Sequence, residues 1–293
     1  MPIGLVFLIL TFVWGSTPLA IQWSVAGSGY AFAVTARMAI GALGFLLLLP
    51  WLKKRPAPPR EVAAVAAIAG ISMFTSMYCV YWGVRFLPSG WVSVLFGLGP
   101  LLTGIIAALW LGEPFPAEKI TGSLLGLGGL PLFFLPTAQG GENLPVGMAA
   151  ILLAVLLYAA GNVAIKRRNR NVAPRWVAAG ALWVAFPLFL IALLLSGEPW
   201  PTSIAPRAGL AILYLGVVAN LIGFLLFYHL LSRVSAANAT LVTLSAPVVA
   251  LWLGLAFNQE EPHAGVLAGT LLVLGGLGLF QWGGHVSLFR GGK

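Results

Sequence analysis

Apolar residues fall into ten blocks along the chain, parted by short breaks rich in charge, proline or glycine. Each block holds about 20 residues, the length an α-helix needs to cross ~30 Å of hydrocarbon. The blocks run over 3–22, 31–52, 62–84, 89–112, 118–137, 146–166, 176–195, 208–231, 236–257 and 263–283. None has the period-2 alternation of a membrane β-barrel, so each reads as a helix. The breaks at 53–60, 140–143, 166–171 and 197–201 carry turn residues or Lys and Arg. No break could hold a folded soluble domain. The pattern predicts an all-α polytopic membrane protein with ten transmembrane helices.

A shift of 147 residues aligns the fourth and fifth blocks with the ninth and tenth. Pro100 falls on Pro247, Glu113 on Glu260, Gly122 on Gly269, and the pair Gly128-Gly129 on Gly275-Gly276. Chance matches Leu and Gly among apolar helices, but less readily proline, glutamate and paired glycines in one register. The expectation is a repeat of five helices over 1–139 and a second over 140–293. Five is odd, so the second repeat must lie inverted relative to the first, around a central cavity, as in many carriers.

Charge supports this. If the N-terminus is cytoplasmic, thirteen of the sixteen Lys and Arg lie in inner connections or the C-terminal tail, and two, Arg85 and Arg207, in outer ones. Arg37 alone lies well inside a span. Such a bias predicts both termini inside. Composition excludes a water-facing globule: 60% of residues are hydrophobic and 8% charged, against about a quarter charged in soluble domains. The net charge of +9 therefore reads as topology and not as nucleic-acid binding. Cys79 is the single cysteine, so no intramolecular disulfide forms. The block from Ile3 lacks a basic leader and a cleavage site and reads as a retained first span.

Trp14-Gly15-Ser16 in span one, Arg37 in span two, and in each half a proline-containing helix that ends in Glu before a glycine-rich helix make a set. With these features the chain resembles the ten-span drug/metabolite transporter superfamily, specifically its EamA-type members. The resemblance implies a bacterial inner-membrane exporter of amino acids, metabolites or drugs. Aromatic amino-acid exporters are closest in character, since aromatics are frequent within these spans too. The second half departs at its start, where Tyr158-Ala159-Ala160 stands in place of Trp-Gly-Ser.

Polar groups within spans are costly unless they face the bundle interior, and aromatics with a few amides suit a ligand with an apolar body and a zwitterionic head. The candidate substrate-binding residues are Trp14, Tyr78, Trp82, Tyr158, Asn162, Asn220, Phe224 and Asn238. Each amide has a competing reading as interhelical glue. Trp23, Trp51, Trp91, Trp110, Trp176 and Trp200 lie near span ends and read as an interfacial belt. Pro100 and Pro247 are candidate gating hinges. Arg37 can snorkel, cap backbone carbonyls or meet a substrate carboxylate, and the sequence favours the two structural roles. Gly122/Gly126 and Gly265/Gly269 predict close packing of spans five and ten.

The chain has no Asp, and its seven Glu lie in breaks or at span ends. Without a midplane carboxylate the expectation is facilitated export, a proton-coupled multidrug or metabolite exporter being the alternative. An intramembrane enzyme would need paired Asp, Ser/His or metal ligands, and a channel a continuous polar face; neither pattern is present. No cofactor or metal is expected. The expected partners are a small-molecule substrate and the lipid bilayer, with the protein acting as a monomer.

Overall fold

A computed structural model describes residues 1–26, 28–50, 59–87, 89–134, 143–169, 171–257 and 264–282. Among the described residues all regular structure is helical. The helices are α1 (Ile3–Val25), α2 (Tyr30–Leu47), α3 (Pro59–Gly83), α4 (Ser89–Phe96), α5 (Gly99–Leu111), α6 (Ala117–Phe134), α7 (Leu144–Arg168), α8 (Pro174–Leu195), α9 (Pro206–Leu231), α10 (Ala236–Thr240), α11 (Val242–Phe257) and α12 (Ala264–Trp282). Prolines stand in the first turns of α5, α7, α8 and α9. There the missing N–H would have lacked a partner anyway. Lys166, Arg167 and Arg168 close α7, where cations suit the carbonyl end of the helix.

Among the described residues seven segments are long and apolar enough to cross a membrane: α1, α2, α3, Val94–Leu111, α7, α8 and α9. The outward faces carry bare aliphatics. Leu47, Leu109, Leu195 and Leu271 are 71–83% exposed, which suits lipid and not water.

Two predicted spans are not single helices. The fourth breaks at Gly97-Leu98 into α4 and α5, which leaves Pro100 in the first turn of the continuing helix and not at a kink. The ninth breaks at Leu241, while Pro247 lies inside α11. In the eighth, Leu215–Gly223 is wound as a π-helix in the middle of α9. Such segments are rare and gather at functional sites.

α1 packs on α11, α3 lies between α7 and α8, and α6 lies along α12. At this last crossing a methyl group on Gly122 would stand 2.7 Å from the carbonyl oxygen of Gly276, and one on Gly129 2.7 Å from that of Gly269. The order of these contacts makes α6 and α12 antiparallel. Gly126 also lies against Gly276. The expected packing of these helices is thus observed, with Gly129 and Gly276 at the crossing as well. Glu260, Trp51, the break at 140–142 and the tail with Arg290 and Lys293 lie outside the described residues, as does the side chain of Trp91.

Candidate functional site

A cavity of about 740 Å³, counting the space at its mouth, lies between α1, α2, α3, α4, α7, α9 and α11. The first helix contributes Trp14, Thr17, Pro18 and Ile21, the i, i+3, i+4, i+7 positions of one helical face. Facing them are Met77, Val80, Val92, Phe96, Tyr158, Ala219, Phe224, Thr243, Ala246 and Pro247. Arg37 is the one charged residue of the lining. This is a mostly apolar chamber with a few polar groups, the usual character of a small-molecule site.

The Trp14-Gly15-Ser16 motif builds one wall. Gly15 seats α1 on α11, because a Cβ there would lie 2.7 Å from Val249 Cβ and 2.8 Å from the Ala246 carbonyl oxygen. A buried Thr11–Ser245 hydroxyl pair at 2.8 Å fastens the same two helices. Ser16 Oγ meets the Tyr214 hydroxyl at 2.5 Å, tying α1 to α9. Trp14 is thereby held with its ring against Phe227 at 4.9 Å between centroids, and edge-on to Tyr158 and Phe224 at 6.3 Å each. Phe96 completes the group at 6.1 Å from Tyr158. Edge-to-face rings at these separations attract one another beyond simple burial. Neither the Tyr158 hydroxyl nor Asn162 Nδ2, one turn further along α7, makes a hydrogen bond of normal geometry among the described residues.

Arg37 does not snorkel. It is 2% exposed; Nη1 donates to the Tyr81 hydroxyl at 3.1 Å and Nη2 to Asn220 Oδ1 at 2.5 Å. Asn220 Nδ2 in turn donates to the Arg37 carbonyl at 3.0 Å. Asn220 therefore stands behind the cavity wall as the partner of Arg37.

One end of the bundle is tied by a polar cluster. Gly112, at φ 66°, ends α5 in the left-handed conformation that glycine adopts freely and turns the chain into Glu113. Glu113 Oε1 pairs with Lys166 Nζ at 2.9 Å, while Oε2 accepts the Ala236 N–H at the start of α10 at 3.0 Å. Lys166 also donates to the Val234 carbonyl. Lys119 donates to Asn238 Oδ1 at 3.2 Å. The cluster joins the ends of α5, α6 and α7 to the connection between α9 and α10.

Of the candidate substrate residues, Trp14, Tyr158 and Phe224 line the cavity, and Pro247 lines it with them. Asn162 and Asn220 lie behind it. Tyr78 packs on Tyr30 and Phe74, and Trp82 packs on Phe86 beneath the Arg85 guanidinium; neither reaches the lining. Asn238 belongs to the terminal cluster, and Pro100 is buried outside the cavity wall. Phe96, Met77 and Thr243 were not singled out by sequence. Phenylalanine, methionine and threonine in an apolar span carry no mark that separates cavity lining from core.

Residues 1–135 and again 145–281 match the EamA-like transporter family. A probable terminal-alkyne amino-acid exporter of Streptantibioticus cattleyicolor is 26% identical over 94% of this chain and 92% of that protein. An uncharacterized transporter of Bacillus subtilis, YvbV, is 25% identical over 92% of this chain and 88% of that one. Protein PagO of Salmonella typhimurium is 26% identical over 86% and 83%. A solved crystal structure shares the fold at 20% identity, with a TM-score of 0.78 and 97% of each chain covered.

Proposed function

The chain belongs to the EamA-like transporter family, and from that premise we propose that it exports small amphipathic metabolites, foremost amino acids with apolar or aromatic side chains. The observation that carries the reading is the aromatic chamber of Trp14, Phe96, Tyr158 and Phe224 inside a bundle of apolar helices. An apolar body fits such a chamber, and a few polar groups orient its head. The amino-acid exporter among the relatives points the same way.

The architecture behind this is ten crossings in two inverted five-helix repeats, residues 1–139 and 140–293, with both termini cytoplasmic in a bacterial inner membrane and the monomer as the working unit. Residues 269 and 276 are the repeat equivalents of 122 and 129. The Gly122–Gly276 and Gly129–Gly269 contacts therefore exchange when the halves are interchanged, as a twofold relation requires. The antiparallel course of α6 and α12 is what inversion entails.

Alternating access follows from the asymmetry of the two ends. On the proposed topology the Glu113–Lys166–Ala236 cluster is cytoplasmic, while the cavity lining lies around the bundle centre, away from that cluster. In this state the inner side is latched. The helix breaks at Gly97-Leu98 and Leu241, with Pro100 and Pro247 beyond them, are the flexing points. With no Asp in the chain and no carboxylate in the lining, transport is facilitated.

Counterflow in proteoliposomes tests the reading. Preloaded phenylalanine or leucine drives saturable uptake of labelled tracer without a pH gradient. Failure of every amino acid and aromatic metabolite to exchange overturns it, and accumulation that requires a proton gradient overturns the uncoupled mode.

A further inference from the structure

Arg37 carries a full charge inside the bundle, lines the cavity, and has no carboxylate in ion-pair contact among the described residues. Its two hydrogen-bonded partners, the Tyr81 hydroxyl and Asn220 Oδ1, are neutral. They take one N–H each from Nη1 and Nη2 but leave the charge uncompensated, and Nε has no hydrogen-bond partner among the described residues. A buried guanidinium without a counter-ion carries an uncompensated desolvation penalty. Ionisable groups at membrane depth are rare and commonly mark a substrate or ion pathway. Asn220, by gripping both the side chain and the backbone of Arg37, holds the fork in one orientation, which lowers the ordering cost of a two-point contact.

We propose that Arg37 is the carboxylate-recognising group of the cavity, so that the substrates are carboxylates with an apolar or aromatic body, and the substrate itself supplies the missing counter-ion. The Trp14, Phe96 and Tyr158 rings receive the body; the guanidinium selects the head by charge-assisted, bidentate bonding. The assignment rests on the transport reading above and narrows it: an amine or alcohol of the same shape that lacks the carboxylate is rejected.

The test separates binding from transport. Affinities of the purified full-length protein are measured for L-phenylalanine, 3-phenylpropionate, phenethylamine and phenylalaninamide, and the same four compounds are used as counterflow partners. The two carboxylates are expected to bind at least about tenfold tighter than the other two, the range of a charged hydrogen bond. Arg37→Gln is expected to weaken the carboxylates about 10- to 100-fold and leave phenethylamine unchanged, with Arg37→Lys recovering part of the loss. Equal binding of phenylpropionate and phenethylamine by the wild type overturns the assignment, as does binding of none of the four. An undiminished carboxylate preference in folded Arg37→Gln does so too. If that variant does not fold, the wild-type series decides alone. Carboxylate-selective binding without any exchange leaves Arg37 assigned and removes the transport reading; exchange without carboxylate preference does the reverse.

Discussion

Gly122 and Gly276 face one another so closely that a methyl group on either would collide with the other's main chain. From Gly122 it would stand 2.5 Å from Phe280 N, and from Gly276 2.5 Å from both the Gly122 carbonyl oxygen and Gly126 N. Backbone cannot move aside as a flexible side chain can. Gly122→Ala or Gly276→Ala is therefore expected to cost about 1–3 kcal/mol by overpacking, read as a lower melting temperature in detergent. Gly128, one helical face away, has nothing within 4 Å of its added Cβ. Gly128→Ala is the control and should leave stability unchanged or slightly raised.

The Glu113–Lys166 pair and the Ala236 N–H bond depend on one carboxylate. Glu113→Gln discharges the pair and weakens the hold on α10, which unlatches that end of the bundle. A shift of roughly 1 kcal/mol is expected, or about fivefold in the open population. In a Cys79→Ala background, a Val234→Cys reporter, buried at 8% exposure, should react with maleimide about fivefold faster once Glu113 is replaced. An unchanged rate would leave the cluster as a static tie.

Tyr158 lines the cavity, and its buried hydroxyl makes no hydrogen bond of normal geometry among the described residues. Its removal takes away no hydrogen bond of normal geometry, so Tyr158→Phe should fold with a melting temperature close to that of the wild type. Counterflow should nevertheless fall, because the variant loses a polar group beside the chamber that has no normal partner of its own. Trp14→Ala should cost more, since the ring packs against three others, whereas Trp82→Phe, away from the lining, should leave exchange near the wild-type rate.

Glu198 acts as a remote helix cap. Its Oε2 accepts the Ala31 N–H at 3.1 Å across 167 residues of chain. Gly29, at φ 78°, lies against the same carboxylate at the start of α2. Glu198→Ala should lower stability by about 0.5–2 kcal/mol, the usual worth of a cap, measured by thermal unfolding with transport retained in the folded fraction.

Helix positions were legible because lipid sets length and apolarity together. Each predicted block overlies a helix or a broken pair of helices. Internal breaks were not legible: the π-wound Leu215–Gly223 holds no proline, and its residues also suit an α-helix. Trp14 and Tyr158 were legible in the sequence because a polar-tipped ring in mid-span is set apart from the interfacial aromatics at span ends. Phe96 was missed because apolar side chains cover every face of a membrane helix, which erases the periodicity that marks an inward side in water. Asn220 and Asn238 look alike in sequence, each an amide in or near a span. One proves to hold Arg37 and the other Lys119, because distant chain segments choose their partners. The belt reading of Trp110 and Trp200 fits their exposure, and Trp23 lies beneath the Arg207 guanidinium at 4.1 Å.

Arg37 and Asn220 are separated by 183 residues, and that spacing has a consequence for biosynthesis. At 5–20 residues per second, the ribosome delivers the asparagine roughly 10–40 s after the arginine. Until then the nascent second helix sits in the translocon or the bilayer with its cation held at best by Tyr81, at an insertion penalty of about 2.5–3.5 kcal/mol were it at the helix centre. The early half of the polypeptide is thus an unfinished object that the late half completes. Synthesised alone, residues 1–139 should insert poorly and be cleared by quality-control proteases, and supplying residues 140–293 as a separate chain should rescue them.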